Sequence, residues 1–216
     1  MISVAPIPPF DPAALESVVE AFRGLPKVEL TQAWRNEVES EFEPAWAQLG
    51  WRDDLFLIFA ELSDRDIFNR AQRLNEKTWL LGDVLEIFVQ REHDAAYFEY
   101  HVTPENQRLQ LKFASAAPGQ GLTFLDDPAL LTSRTWIFPE QKRWCVFAQI
   151  SGQSLGVTKG SLAGEKWKFS LGRYDYTRGR EEPVISSSSL HREPYFHRLH
   201  EWELLSFREA LSANSG

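Results

Sequence analysis

Apolar and polar residues alternate with a period of two through most of this chain, and with a helical period in one place. There Leu15, Val18, Val19 and Phe22 recur at the spacing of one helix face. Asp11 and Pro12 precede them as an acidic cap and a first-turn proline, and Gly24 and Pro26 end the run. This predicts one amphipathic helix packed on the rest of the domain. The other apolar runs are short, rich in β-branched and aromatic residues, and bounded by turn residues. They predict about eight strands, at 27–31, 55–62, 84–90, 96–103, 108–113, 144–150, 167–176 and 201–207. The run 55–62 is of strand length, apolar but for Glu61, and bounded by Asp53-Asp54 and Ser63-Asp64. Trp144, Val146, Ala148 and Ile150 alternate onto a single face.

Short polar connections between 84 and 113 favour consecutive antiparallel pairing. The segment 114–121 is a small-residue loop, and 177–189, with four successive serines, reads as a long exposed loop. The residues from Ser212 to the end read as a frayed tail. No internal repeat is present. Strands without a helical partner for each crossover imply an all-β, two-sheet antiparallel sandwich of jelly-roll or immunoglobulin-like type with one N-terminal helix.

Composition narrows the function. Hydrophobic residues make up 43% of the 216 and charged residues 25%, enough apolar material for a single folded domain. A net charge of −8 argues against nucleic acid or an anionic membrane as partner, since both reward clustered Lys and Arg. The aromatic and basic stretch 174–180 is followed by Glu181 and Glu182, which cancel its charge. Cys145 is the single cysteine, so no intrachain disulfide forms, and a cytoplasmic home is permitted. The first ten residues lack the basic-then-apolar pattern of a signal peptide, and no run approaches the ~20 apolar residues of a membrane span.

Three ordered segments resemble the family 9 carbohydrate-binding modules, a DOMON-like fold. The first is Trp79-Leu80-Leu81-Gly82-Asp83-Val84-Leu85-Glu86-Ile87-Phe88-Val89. The second is Tyr97-Phe98-Glu99-Tyr100-His101-Val102-Thr103-Pro104. The third begins at 150–156 and continues as Gly164-Glu165-Lys166-Trp167-Lys168-Phe169-Ser170-Leu171-Gly172-Arg173, with Phe196-His197 and 202–207 as the ending. The resemblance covers 27–207 and implies an N-terminal extension at 1–26 and a tail at 208–216. It also implies non-catalytic carbohydrate binding.

Residue by residue, the resemblance matches Trp79 to an aromatic that stacks on a sugar ring and Glu86 to an acid that bonds hydroxyls. His101 takes a position where some members have a cation, and Arg173 matches the strand arginine. The family's second stacking tryptophan is absent near Ser187, so Tyr195 or His191 has to substitute. Glu86 has two readings, ligand contact or a structural pair with Arg173. Its neighbours Leu85, Ile87 and Val89 point to the opposite face in either case.

Other chemistry is sparser. His191, His197 and His200 lack the spacing of a zinc site. Asp64 and Asp66 are an acidic loop pair of the type that holds calcium, an ion some members of the family carry. DOMON-like relatives that hold haem would need His ligation here, because Met1 is the only methionine. Neither a nucleophile elbow nor a phosphate loop occurs, and Glu86 with Glu99 is the carboxyl pair that a glycosidase reading would use. The alternative to sugar binding is an accessory or protein-interaction domain that keeps the sandwich and has lost the sugar.

Overall fold

The computed structural model describes residues 1–115 and 121–209. It is mainly β, with one short α-helix, α1 (Leu15–Phe22), and thirteen strands in a single curled, mixed sheet. The strands are β1 (Ile2–Pro6), β2 (Lys27–Leu30), β3 (Ala45–Arg52), β4 (Leu55–Ser63), β5 (Val84–Arg91), β6 (Tyr97–Val102) and β7 (Arg108–Phe113). They continue with β8 (Leu122–Phe124), β9 (Leu131–Phe138), β10 (Arg143–Ser151), β11 (Lys166–Asp175), β12 (Val184–Ser187) and β13 (Glu203–Phe207).

The order across the sheet is β8-β7-β6-β5-β11-β13-β1-β3-β4-β10-β9, with β12 added on β11 and β2 on β3. Two separate antiparallel sheets were expected; one continuous ladder is found. The joint is β1, whose first half pairs in parallel with β13 (Ile2 with Leu205) and whose second half pairs in parallel with β3 (Ala5 with Gly50). Sequence patterning missed this strand because its partners lie far along the chain in both cases and its own run is short.

The two arms flanking β1 share one main core. Phe56, Ile58, Trp144, Val146 and Ile150 meet Leu85, Ile87, Val89, Trp167, Phe169 and Leu171, all buried. Phe56 makes edge contacts with Trp167, Phe169 and Phe207 at ring separations of 5.6–5.7 Å. Each such side chain contributes roughly 1.5–3 kcal/mol by leaving water. Every run predicted as a strand except 108–113 supplies this core.

Each arm also has an outer face. On the β3-β4-β10 arm, α1 covers Leu57, Phe59 and Phe147 through Val18 and Phe22. The helix begins at Leu15, later than the Asp11-Pro12 signal, because the Asp11 carboxylate accepts from the Ala13 N–H in a local turn. On the β5-β6-β11 arm, Phe88 and Tyr97 pack under Phe196, Leu199 and Trp202 of the segment before β13. The expected loop 177–189 contains β12, which runs antiparallel to β11. Of the loop 114–121, residues 116–120 lie outside the described residues, as does the tail expected from Ser212 onward. No helix among the described residues is long and apolar enough to cross a membrane.

Candidate functional site

Strand alternation decides which side chains of the β5-β6-β11 arm reach its outer face. Leu85, Ile87 and Val89 point into the core, so Glu86 and Phe88 point out. The β5–β6 register then pairs Glu86 with His101 and Phe88 with Glu99, placing both on the same face as Glu86. Leu111 and Phe113 follow on β7, opposite Glu99 and Tyr97. On β11 the residue opposite Glu86 is Gly172. A Cβ there would lie 2.6 Å from the Phe196 ring and 3.1 Å from Glu86 Oε2, so only glycine leaves room for both.

Above this face opens a pocket of about 230 Å³. Glu86, Glu99, Leu111, Phe113 and Tyr174 form its floor. Trp79, on a 3₁₀ turn (Thr78–Leu80), and the stretch 194–197 form its walls, with Leu122 at the rim. The wall that carries Tyr195 is pinned from below by Glu201. Its carboxylate accepts from Arg198 Nε at 2.7 Å and Arg198 Nη2 at 2.9 Å, lies 3.1 Å from His191 Nδ1, and receives the Arg192 N–H. These donors hold the Glu201 carboxyl at about 2. Trp202 Nε1 donates to the Phe196 carbonyl at 2.7 Å and closes the turn.

The floor is a buried polar cluster. His101 Nε2 lies 2.5 Å from Glu99 Oε1 and 3.3 Å from Glu86 Oε1, and its Nδ1 is hydrogen-bonded to Thr78 Oγ1 at 2.7 Å. Trp79 stands edge-on to the same imidazole at a ring separation of 5.7 Å. Burial, and then repulsion from Glu99, pushes the Glu86 carboxyl well above the usual carboxylate range. Burial and the two carboxyls raise the Tyr174 hydroxyl too. His197, with Tyr97 Oη on its Nδ1 at 2.9 Å, is pulled below the ordinary imidazole value by burial.

Of the five residues expected at the site, four gather here. Trp79, Glu86 and Tyr195 line the pocket, Tyr195 half exposed, while His101 is fully buried behind the carboxyls and positions them. Arg173 does not join them. It sits opposite Leu85, on the core face of β11, where it is 1% exposed. The structural pair considered for Glu86 and Arg173 therefore does not form, because the two side chains leave the sheet on opposite sides. The signal was present in the sequence: Trp167, Phe169 and Leu171 share the parity of Arg173, and all three are core residues.

Arg173 instead anchors a second acidic cluster inside the fold. Its guanidinium lies 3.0 Å from Asp175 and 3.6 Å from Asp64 and donates to the Glu43 carbonyl at 3.0 Å and to the Ser63 carbonyl. Asp83 completes the group by accepting the Phe68 N–H at 2.6 Å and the Tyr176 N–H at 2.7 Å. Burial and the neighbouring Asp64 push Asp83 up to about 9, and burial pushes Asp175 up to about 7. The expected calcium pair is divided: Asp64 faces Arg173, while Asp66 accepts from the Arg178 backbone and guanidinium.

Several pocket residues escaped the sequence reading as ligand contacts, namely Glu99, Phe113, Tyr174 and His197. Period two along β6 puts Glu99 on the face of His101, so parity plus the register with β5 would have found it.

No protein-family model and no curated protein matches this sequence. Solved structures do. A candidate carbohydrate-binding protein from Bacteroides uniformis superposes with a TM-score of 0.78 at 16% identity, over 96% of this chain and 98% of that one. A family 9 carbohydrate-binding module from Caldicellulosiruptor kristjanssonii in complex with cellotriose gives 0.68 at 15% identity, over 100% of this chain and 96% of that one. The same organism's family 9 module in complex with glucose gives 0.65 at 15% identity, over 99% and 98%. The architecture is thus a β-rich one shared with these solved structures. More particularly, this chain has the fold of the family 9 carbohydrate-binding modules, as the ordered sequence motifs led us to expect.

Proposed function

We propose that this protein is a non-catalytic carbohydrate-binding module that takes one sugar unit in the pocket above β5, β6 and β11. The observation that carries the reading is the pocket's chemistry: aromatic walls at Trp79 and Tyr195 stand over a buried, hydrogen-bonded carboxyl floor. Apolar faces of a pyranose pack on aromatic rings while a few fixed polar groups select its hydroxyls. Pockets for larger ligands run from ~300 Å³ upward, so a volume of about 230 Å³ suits a single ring. Trp79 supplies the stacking surface, Glu86 and Glu99 bond hydroxyls, His101 orients both carboxyls, and Tyr195 closes the far side.

The same geometry argues against hydrolysis. Glycosidases place two carboxyls on either side of the scissile bond. Here Glu86 and Glu99 share one imidazole, with atoms within 4.8 Å, on one side of the pocket. We read the curled sheet as a sandwich opened along β1, and residues 27–207 together with β1 as the working module.

The test is titration with a panel that includes glucose and cellotriose, followed by intrinsic tryptophan fluorescence and repeated with Trp79→Ala. Saturable quenching that the substitution removes supports the reading. Silence across the panel from a folded protein rejects it in favour of an accessory or protein-interaction role.

A further inference from the structure

The pocket's polar lining is one-sided in charge. Among the described residues that line it, none is Lys or Arg. Arg173, the cation expected at the site, is sequestered on the far side of the sheet. His197, the lining imidazole, is held below its ordinary pKa by burial and supplies no charge at neutral pH. Two carboxyls therefore face the single imidazole of His101, and that ring is already committed through its second nitrogen to Thr78.

One acceptor in this cluster is left over. Glu99 is 4% exposed, and its Oε2 has no hydrogen-bond partner; the nearest ring nitrogen, His197 Nε2, is 3.7 Å away. A buried carboxylate oxygen without a donor is costly, and native structures rarely keep one without a use for it. Around it stand Trp79, Phe113, Tyr174, Tyr195 and Phe196, whose ring faces carry the negative side of an aromatic quadrupole. Unpaired carboxylate and aromatic walls are the chemistry that recognises an ammonium group.

Building on the proposed sugar site, we propose that the pocket selects ligands bearing an ammonium group, amino sugars in particular, over their neutral and anionic counterparts. Glu99 is the specificity-determining residue. Its Oε2 accepts from the ligand ammonium, while Oε1 stays on His101. An ammonium group beside the two carboxyls also offsets their mutual repulsion.

The experiment is calorimetric titration of the whole chain with matched probes. One set is glucose, glucosamine, N-acetylglucosamine and glucuronate, and the other is cellotriose, its glucosamine trimer and the N-acetylated trimer. We expect each free amine to bind at least about tenfold more tightly than its neutral and acetylated counterparts, as a charge-assisted hydrogen bond provides, with glucuronate weakest. In Glu99→Gln, checked for its melting transition, the amine-to-neutral ratio falls toward one. In Glu99→Asp, which keeps the charge, a preference remains.

Equal affinities for glucose and glucosamine overturn the selectivity and leave the sugar site standing. Tighter binding of glucuronate does the same. Failure of every probe to bind overturns both proposals.

Discussion

The two acidic clusters of this protein lie on opposite faces of the β6-β5-β11 arm, and they have opposite fates. On the core face, Asp64, Asp83 and Asp175 are answered by the Arg173 guanidinium and by backbone N–H groups. On the outer face, Glu86 and Glu99 share one histidine, and Glu99 keeps an oxygen unanswered beside an open pocket. Asp64 Oδ2 too lacks a hydrogen bond, but it lies 3.6 Å from the buried Arg173 guanidinium, whereas Glu99 lines a pocket that a ligand can enter. For Glu86, Glu99 and Asp175, parity along the strand sets the face that the acid takes.

The sharpest way to separate the clusters is to remove the arginine. Arg173→Met strands Asp64 and Asp175 in the interior and should cost about 3–5 kcal/mol of stability. That reads as a large fall in melting temperature or as failure to recover folded protein. Glu86→Gln, on the other face, should leave the melting temperature unchanged or raise it, since it removes a carboxyl that burial already disfavours in its charged form. Equal losses from both substitutions would erase the distinction between the clusters.

A second test uses pH. Asp83 at about 9 and Asp175 at about 7 hold protons in the native state that an unfolded chain releases near pH 4. The native state therefore binds more protons than the unfolded state across this window. Stability falls as pH rises from about 4 to 7 through both groups and on to about 9 through Asp83, by up to about 1.4 kcal/mol per pH unit for each proton. Below about 4 the sign reverses, because Glu201, held at about 2, loses its partners as it protonates. Melting curves should show the most stable protein in mildly acidic solution, and Asp83→Asn should flatten the alkaline limb whatever its offset. A steepening limb in that variant would contradict the assignment.

Ligand affinity responds less strongly. Trp79→Ala should weaken sugar binding by about 2 kcal/mol, the loss typical of an aromatic anchor, with a small effect on melting because the ring is partly exposed. Tyr195→Ala should cost about 1 kcal/mol or less, since half of its surface faces solvent in the free protein. If Tyr195 proves the stronger anchor, the binding surface lies toward the 194–197 wall.

Much of this could be read from the chain before its fold was known. The runs at 84–89 and 167–171 carry enough period-two apolar pattern to fix their inward faces, and with them the outward direction of Glu86. Trp79 and Tyr195 were reached through the resemblance, Trp79 as the matched stacking aromatic and Tyr195 as a substitute for the missing one. What the pattern could not supply was register. Glu99 meets Glu86 through the β5–β6 ladder, a relation between two strands that neither strand encodes alone. Strands such as β3, with Ala and Gly among its aromatics, and β9, half of whose residues are polar and run together, show too weak an alternation to announce themselves. Arg173 was misassigned by following a motif position and overlooking the parity of its own neighbours.

The joint at β1 bears on how the molecule is assembled in time. Its second half can dock on β3 once Ala45–Arg52 has been synthesised, but its first half has no neighbour until Glu203–Phe207 emerges more than 150 residues later. Contacts of such sequence separation slow folding and leave strand edges bare while they wait. During synthesis, Ile2–Val4 is therefore an unpaired parallel edge exposed to neighbouring nascent chains. The stretch most in need of a chaperone is the one whose partner is translated last.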